Sequence, residues 1–561
     1  MTTVWAVRLV RYVGWMVLAG SIGVIVGSIV VQAVGGPVAS DVLWPSPRLW
    51  RYFGTTLWMA AVATAMALLL SVPAVIALTQ ARRAWQRRIL RGLVVLPLVT
   101  MPAVFAYAWM LLATRRGGWV AAVMEAVGWN TPGVEPLQAA WVLATWLWPI
   151  PALVLVSSYS HLGAPGFQLA RLDASSRLAF LRGALPLMRA PLAAALAVTF
   201  ILAATDSSVP PLMGATEVWA VEMLAEASVA SSQPAPIGYL FWRSWPMLAA
   251  IALAIAAAIP GIRRMEDWLD DVVAADLGDS ASTGSNGVWV VANLLAAAVT
   301  VLPIVVFCTE LAGGRSPLPQ ILSTAYRTFR QDGLATLLVA VLTAACAMAI
   351  AVALLHEAET RAPKRTFARA AMLMVAVSAV LPPELTGTAL TTFFSRISDP
   401  SGWNIYDHTP WSWIAAMVAR FGFIPVAVVW LLSRRTSSAL VAQARSDGAS
   451  ESERLAHLHL PLLRRSLLAA GMMTACLTVS EVGAAVLVQP PRFFGGSLAV
   501  QVDGQMHYGR QDETIALSLM LIVPAVAGAI GATWLVGRPG RIRSADDARS
   551  QGKRRMASGV R

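Results

Sequence analysis

Apolar residues run along this chain in blocks of about 20, separated by short polar segments, and that is the length of helix needed to cross a bilayer. Setting the blocks against proline, glycine and charge predicts twelve spans. The first six lie near 13–34, 55–79, 92–113, 138–159, 191–213 and 240–262. The second six lie near 288–309, 334–356, 368–394, 411–433, 467–489 and 514–536. The first block is too long for a signal-peptide core and reads as a span. The pattern predicts an all-α polytopic membrane protein.

Composition agrees. Of the 561 residues, 57% are hydrophobic and 13% charged, against about 25% charged in soluble domains. Cys308, Cys346 and Cys476 all fall in apolar blocks, so neither a disulfide framework nor a zinc cluster is expected. The net charge of +13 is spread over loops between spans, which argues for membrane insertion and against nucleic acid. An inside N-terminus puts 31 Lys and Arg residues inside and 11 outside, so both termini are expected in the cytoplasm. Arg171, Arg189 and other loop arginines would also meet anionic lipid.

Near the midpoint, 265–287 is acidic and then rich in Ser and Gly, the composition of a flexible linker. It divides the chain into a first half (1–264), the linker, a second half (288–537) and a basic tail (538–561). The loops after spans four and ten repeat one another. Ala170, Arg171, Asp173, Leu185, Pro186 and Arg189 recur as Ala444, Arg445, Asp447, Leu460, Pro461 and Arg464. Small residues after the aspartate suit a helix–turn–helix excursion, Gly448 permits a tight turn, and Leu-Pro is expected to end the excursion before the next span. A short helix standing off the membrane can dock in a groove on a soluble partner.

These loops resemble the Glu-Ala-Ala loop of ATP-binding-cassette (ABC) importer permeases, which continues to a glycine and then Leu-Pro about a dozen residues later. Gly448 to Pro461 fits that spacing. Gln168 and Ala442 stand where the family has glutamate, and Ala174 replaces the glycine in the first copy. Ser480-Glu-Val-Gly-Ala-Ala-Val-Leu-Val-Gln-Pro-Pro491 and Thr205-Asp-Ser-Ser-Val-Pro-Pro-Leu-Met213 are similar to segments of two-half permeases for ferric iron and related solutes. The resemblance implies a type I importer fold in the bacterial inner membrane. It also implies a periplasmic solute-binding protein, two separate ABC ATPase subunits, and ferric iron first among the solutes, ahead of thiamine, an aminophosphonate, sulfate or a polyamine. Lys364 and Lys553 are the only lysines and neither sits in a phosphate-binding loop. The chain is therefore expected to hydrolyse no ATP and to carry no cofactor.

Asp206 and Glu481 each lie 20 residues beyond the loop proline. Carboxylates within spans are costly and tend to face a cavity or a partner, so this pair would line a pathway between the halves. The plainer role is to cap a break in the helix with backbone N–H groups. Glu384, after Pro382-Pro383, is a third pathway candidate, and Arg420 a partner for one of the three. The histidines are scattered, and His457 and His459 face different sides of a helix, so no metal site is expected. A secondary transporter, also often built from two repeated halves, is the rival reading; it would couple ions through these carboxylates.

Overall fold

The computed structural model describes residues 2–35, 45–80, 84–114, 119–126, 128–129, 131–159, 163–229, 237–272, 286–313, 317–358, 362–397, 403–433 and 438–537. The expected basic tail, His161 and linker positions 273–285 fall outside them. The described residues are mostly helical, without a strand. Seven helices are long and apolar enough to cross a membrane: Val4–Gln32, Pro47–Thr79, Phe180–Ala204, Leu294–Ala312, Leu318–Glu357, Glu451–Val479 and Gln511–Leu535. Five further pairs of helices qualify together, each bent by more than 40° at a short break, which gives up to twelve spans.

Spans three and nine differ from the straight helices expected. Ile89–Val99 meets Pro102–Thr114 at 97°, and Thr366–Val380 meets Pro383–Ser395 at 109°. Proline removes an N–H and disfavours helix at the residue before it, so Pro102 and Pro382-Pro383 turn the chain while the composition stays apolar. Spans five and eleven end early, at Ala204 and Val479. Each is followed by a break and a four-residue helix, Val209–Leu212 or Ala485–Val488. Asp206 and Glu481 therefore sit at helix ends rather than within spans.

Leu185-Pro186 and Leu460-Pro461 do not end the loop excursion. A five-residue π-helical stretch, Phe180–Ala184 or Leu455–His459, carries the chain directly into the next α-helix, with the proline in its first turn. There the missing N–H is tolerated.

The repeat recurs in three dimensions. Paired elements lie about 275 residues apart, and spans four and ten share a 42° bend. Buried side-chain bonds repeat as well. Trp219 N–H donates to Thr56 Oγ1 at 2.8 Å, and Leu498 N–H donates to Thr336 Oγ1 at 2.9 Å. The halves also exchange their first spans. Helix Thr2–Leu18 packs on Leu334–Ala358 of the second half, and Asn286–Ala312 packs on Pro47–Gln80 of the first. Gly14 makes the first contact possible, since a Cβ there would lie 2.3 Å from the Ala349 carbonyl oxygen.

Candidate functional site at the junction of the halves

The breaks of both halves converge on one cavity of about 350 Å³. Its wall is built from equivalent positions: Val198 with Met473, Leu202 with Leu477, Thr205 with Ser480, and Asp206 with Glu481. Pro102 and Pro383, from the two sharp bends, complete the wall. The halves touch directly here. Ser480 Oγ donates to the Val99 carbonyl at 3.4 Å, and a Cβ on Gly483 would meet Pro383 Cγ at 3.1 Å and Ser207 Oγ at 3.3 Å. Non-helical backbone at membrane depth must be satisfied by protein. Trp146 Nε1–H accordingly donates to the Thr100 carbonyl freed by the bend of span three, at 3.1 Å.

Asp206 both caps and lines. Its Oδ1 accepts from the backbone N–H of Ser208 (3.1 Å) and Val209 (2.8 Å), and its side chain borders the cavity. Glu481 Oε1 accepts from Ala484 N–H at 3.1 Å and also meets Arg420 Nε at 3.2 Å, both side chains being nearly buried. The structure thus joins the capping and lining roles that the sequence set against each other. Among the described residues Asp206 has no ion pair. Glu384 is 2% exposed, lies behind Pro383 within electrostatic reach of Asp206, Glu481 and Arg420, and has no hydrogen-bond partner for Oε1 among the described residues.

Trp146 is among the cavity residues that escaped the sequence reading. Ile150-Pro151 and Ile424-Pro425 align the bends of spans four and ten, and this register makes Trp146 the counterpart of Arg420. Both line the cavity. The shared Ile-Pro was the available signal.

The loop residues lie apart from the cavity, beyond the far ends of spans five and eleven. Helix Ala164–Ala170 turns through Arg171 and Asp173 into Ser176–Ala179. Helix Ser438–Ser446 turns through Asp447 and Gly448, at φ +80°, into Glu451–Arg454. Arg171, Asp173, Arg445 and Asp447 are exposed, whereas Ala170 and Ala444 are half-buried. Among the described residues no three His, Cys, Asp or Glu side chains are grouped to hold a metal ion. Comparison with protein-family models, curated proteins and solved structures finds no match to this chain.

Proposed function

We propose that the chain is the membrane-spanning permease of a binding-protein-dependent ABC importer, with both termini and both repeated loops in the cytoplasm of a bacterial inner membrane. The observation that carries this reading is the duplicated loop: helix, turn, short helix and π-helical stretch, run without a break into spans that end at the cavity. A push on either loop would thereby be delivered along one continuous helix to Asp206 or Glu481. Two such loops on one chain call for two ATPase subunits, and the central cavity for a solute handed over by a periplasmic binding protein. By the resemblance alone ferric iron heads the possible solutes, ahead of thiamine, an aminophosphonate, sulfate or a polyamine; the chemistry of the cavity itself departs from that order.

Glu384 favours the second reading, a secondary transporter, because a buried acidic group with one oxygen unpartnered among the described residues suits ion coupling. Purification from the native membrane in mild detergent separates the two. The importer predicts co-purification of a Walker-motif ATPase, two per chain, with vanadate-sensitive hydrolysis. It also predicts that Leu172→Asp, at a side chain 81% exposed on the first loop, releases one of the two. A chain purified alone that transports in liposomes under an ion gradient would overturn it.

A further inference from the structure

The two halves meet the cavity with the same backbone but different charge. In the second half the carboxylate of Glu481 is answered by the guanidinium of Arg420 at 3.2 Å, from the last turn before the bend of span ten. In the first half the equivalent carboxylate, Asp206, faces the same cavity, and the residue in the register of Arg420 is Trp146. An arginine in one copy has an aromatic ring as its counterpart in the other. The protein supplies a cation to one of two matched carboxylates and leaves the other without one among the described residues.

We propose that the cavity binds an organic cation, with Asp206 as counter-charge and the Trp146 ring as the surface for its apolar body, in the place that Arg420 fills in the second half. This rests on reading the cavity as the solute pathway. Three further observations favour it. Glu384, buried and with one oxygen unpartnered among the described residues, adds a third acidic side chain behind the wall, so three acidic groups surround one guanidinium. The remaining wall is mostly apolar and includes Phe421 and Phe423, and aromatic faces attract desolvated cations. The volume falls in the roughly 300–1,000 Å³ range of small-molecule sites. A bare metal ion is the poorer match, because no group of three metal-ligating side chains occurs among the described residues. An anion would meet the carboxylate excess.

Equilibrium dialysis of the purified full chain against radiolabelled phenyltrimethylammonium, without ATP, tests the proposal. Expected is saturable binding that excess benzenesulfonate and ferric nitrilotriacetate leave in place. Asp206→Asn should weaken binding at least tenfold; asparagine caps helices about as well as aspartate, so the turn survives while the charge is lost. Trp146→Arg should abolish binding, because it installs in the first half the cation that the second half already carries. Arg420→Gln should tighten binding by freeing Glu481, an effect that a merely structural arginine would not give. Thermal melting and gel filtration confirm that each variant is folded. Equal binding by folded Asp206→Asn, displacement by benzenesulfonate or the iron complex, or no saturable binding would each overturn the proposal. Co-purification of an ATPase without cation binding would overturn this solute class alone, and cation binding with no ATPase the importer reading alone.

Discussion

In the first half, helix Trp219–Val229 and the turn before it are tied to their surroundings by charge: Arg51 to Glu217 at 3.0 Å, Arg48 to Glu222 at 3.8 Å and Arg243 to Glu226 at 2.7 Å. In the second half, Gln501 and Gln505 stand where Glu222 and Glu226 stand in the first, and the acid is Asp503 on helix Leu498–His507. The loops diverge in the same way. The first closes on a glycine pair, where a Cβ on Gly166 would lie 2.5 Å from the Gly183 carbonyl oxygen, and exposes Leu169 and Leu172. The second is braced by polar contacts. Ser450 and Glu453 form a capping box, Arg454 Nη1 donates to the Ala449 carbonyl at 2.8 Å, and Glu451 approaches His356 at 3.9 Å, which in turn meets Arg11 of the first span at 2.5 Å. A duplicated backbone survives while the chemistry that stabilises it is replaced. Among the described residues these polar contacts fasten the second loop alone to the other half's exchanged span, so equal movement of the two loops is not to be expected.

Exchanging residues between the copies breaks this comparison most sharply at the glycine pair. Gly166→Leu gives the first loop the residue that the second has, Leu440. The second loop accepts a leucine because its helices do not meet there backbone to backbone. In the first, overpacking is expected to cost about 1–3 kcal/mol and to loosen the loop from span five. Limited trypsin digestion should then cut at Arg171 or Arg182 faster than in the wild type, with cutting at Arg445 unchanged; equal rates at Arg171 and Arg182 would show that the glycine contact holds nothing.

Much of this was legible in the sequence. The repeated Ala-Arg-x-Asp and Leu-Pro located both loops, and equal distances from proline paired Asp206 with Glu481. Hydropathy found the spans because it measures length, but it is blind to direction. A run bent by 97° has the composition of a straight one, so the bends of spans three and nine went unread although Pro102 and Pro382-Pro383 mark them. The π-helical stretches, the exchange of first spans and the Thr56 and Thr336 bonds depend on contacts between distant segments. No local pattern encodes them. The match of Trp146 with Arg420 was hidden for another reason: the two residues share no chemistry, and only register makes them equivalent.

The acid of helix Leu498–His507 provides a smaller, pH-dependent contrast. Burial pushes the Asp503 carboxyl up to about 6, His507 at 3.8 Å pulling the other way and Asp206 adding to the rise. A raised carboxyl favours the protonated form in the folded state. Stability is therefore lost as pH rises from the unfolded value near 4 through 6, and stays lower above. Asp503→Asn should raise the melting temperature at pH 8, by an amount on the order of 1 kcal/mol of stability, and leave it unchanged near pH 4. In the first half burial raises the Glu226 carboxyl too, with Arg243 at 2.7 Å pulling it back, so Glu226→Gln should gain less at pH 8 than Asp503→Asn.

The finest contrast lies at the start of the second short helix of each loop. Ser450 and Ser175 hold equivalent positions, each one residue before its helix. Three residues on, the second loop has Glu453, whose Oε2 accepts from Ser450 N–H at 2.8 Å, while the first has Leu178. A capping box satisfies two orphan donors reciprocally, and losing a serine cap costs about 1 kcal/mol or somewhat less in an exposed helix. Ser450→Ala should accordingly speed amide exchange across Glu451–Arg454, with no change in the first loop. Leu178→Glu should slow exchange across Ser176–Ala179 by building the missing box, since Ser175 is already in place. If Leu178→Glu instead left exchange unchanged, the first loop would be held by its glycine contact alone, and the two copies would differ in mechanism as well as in residues.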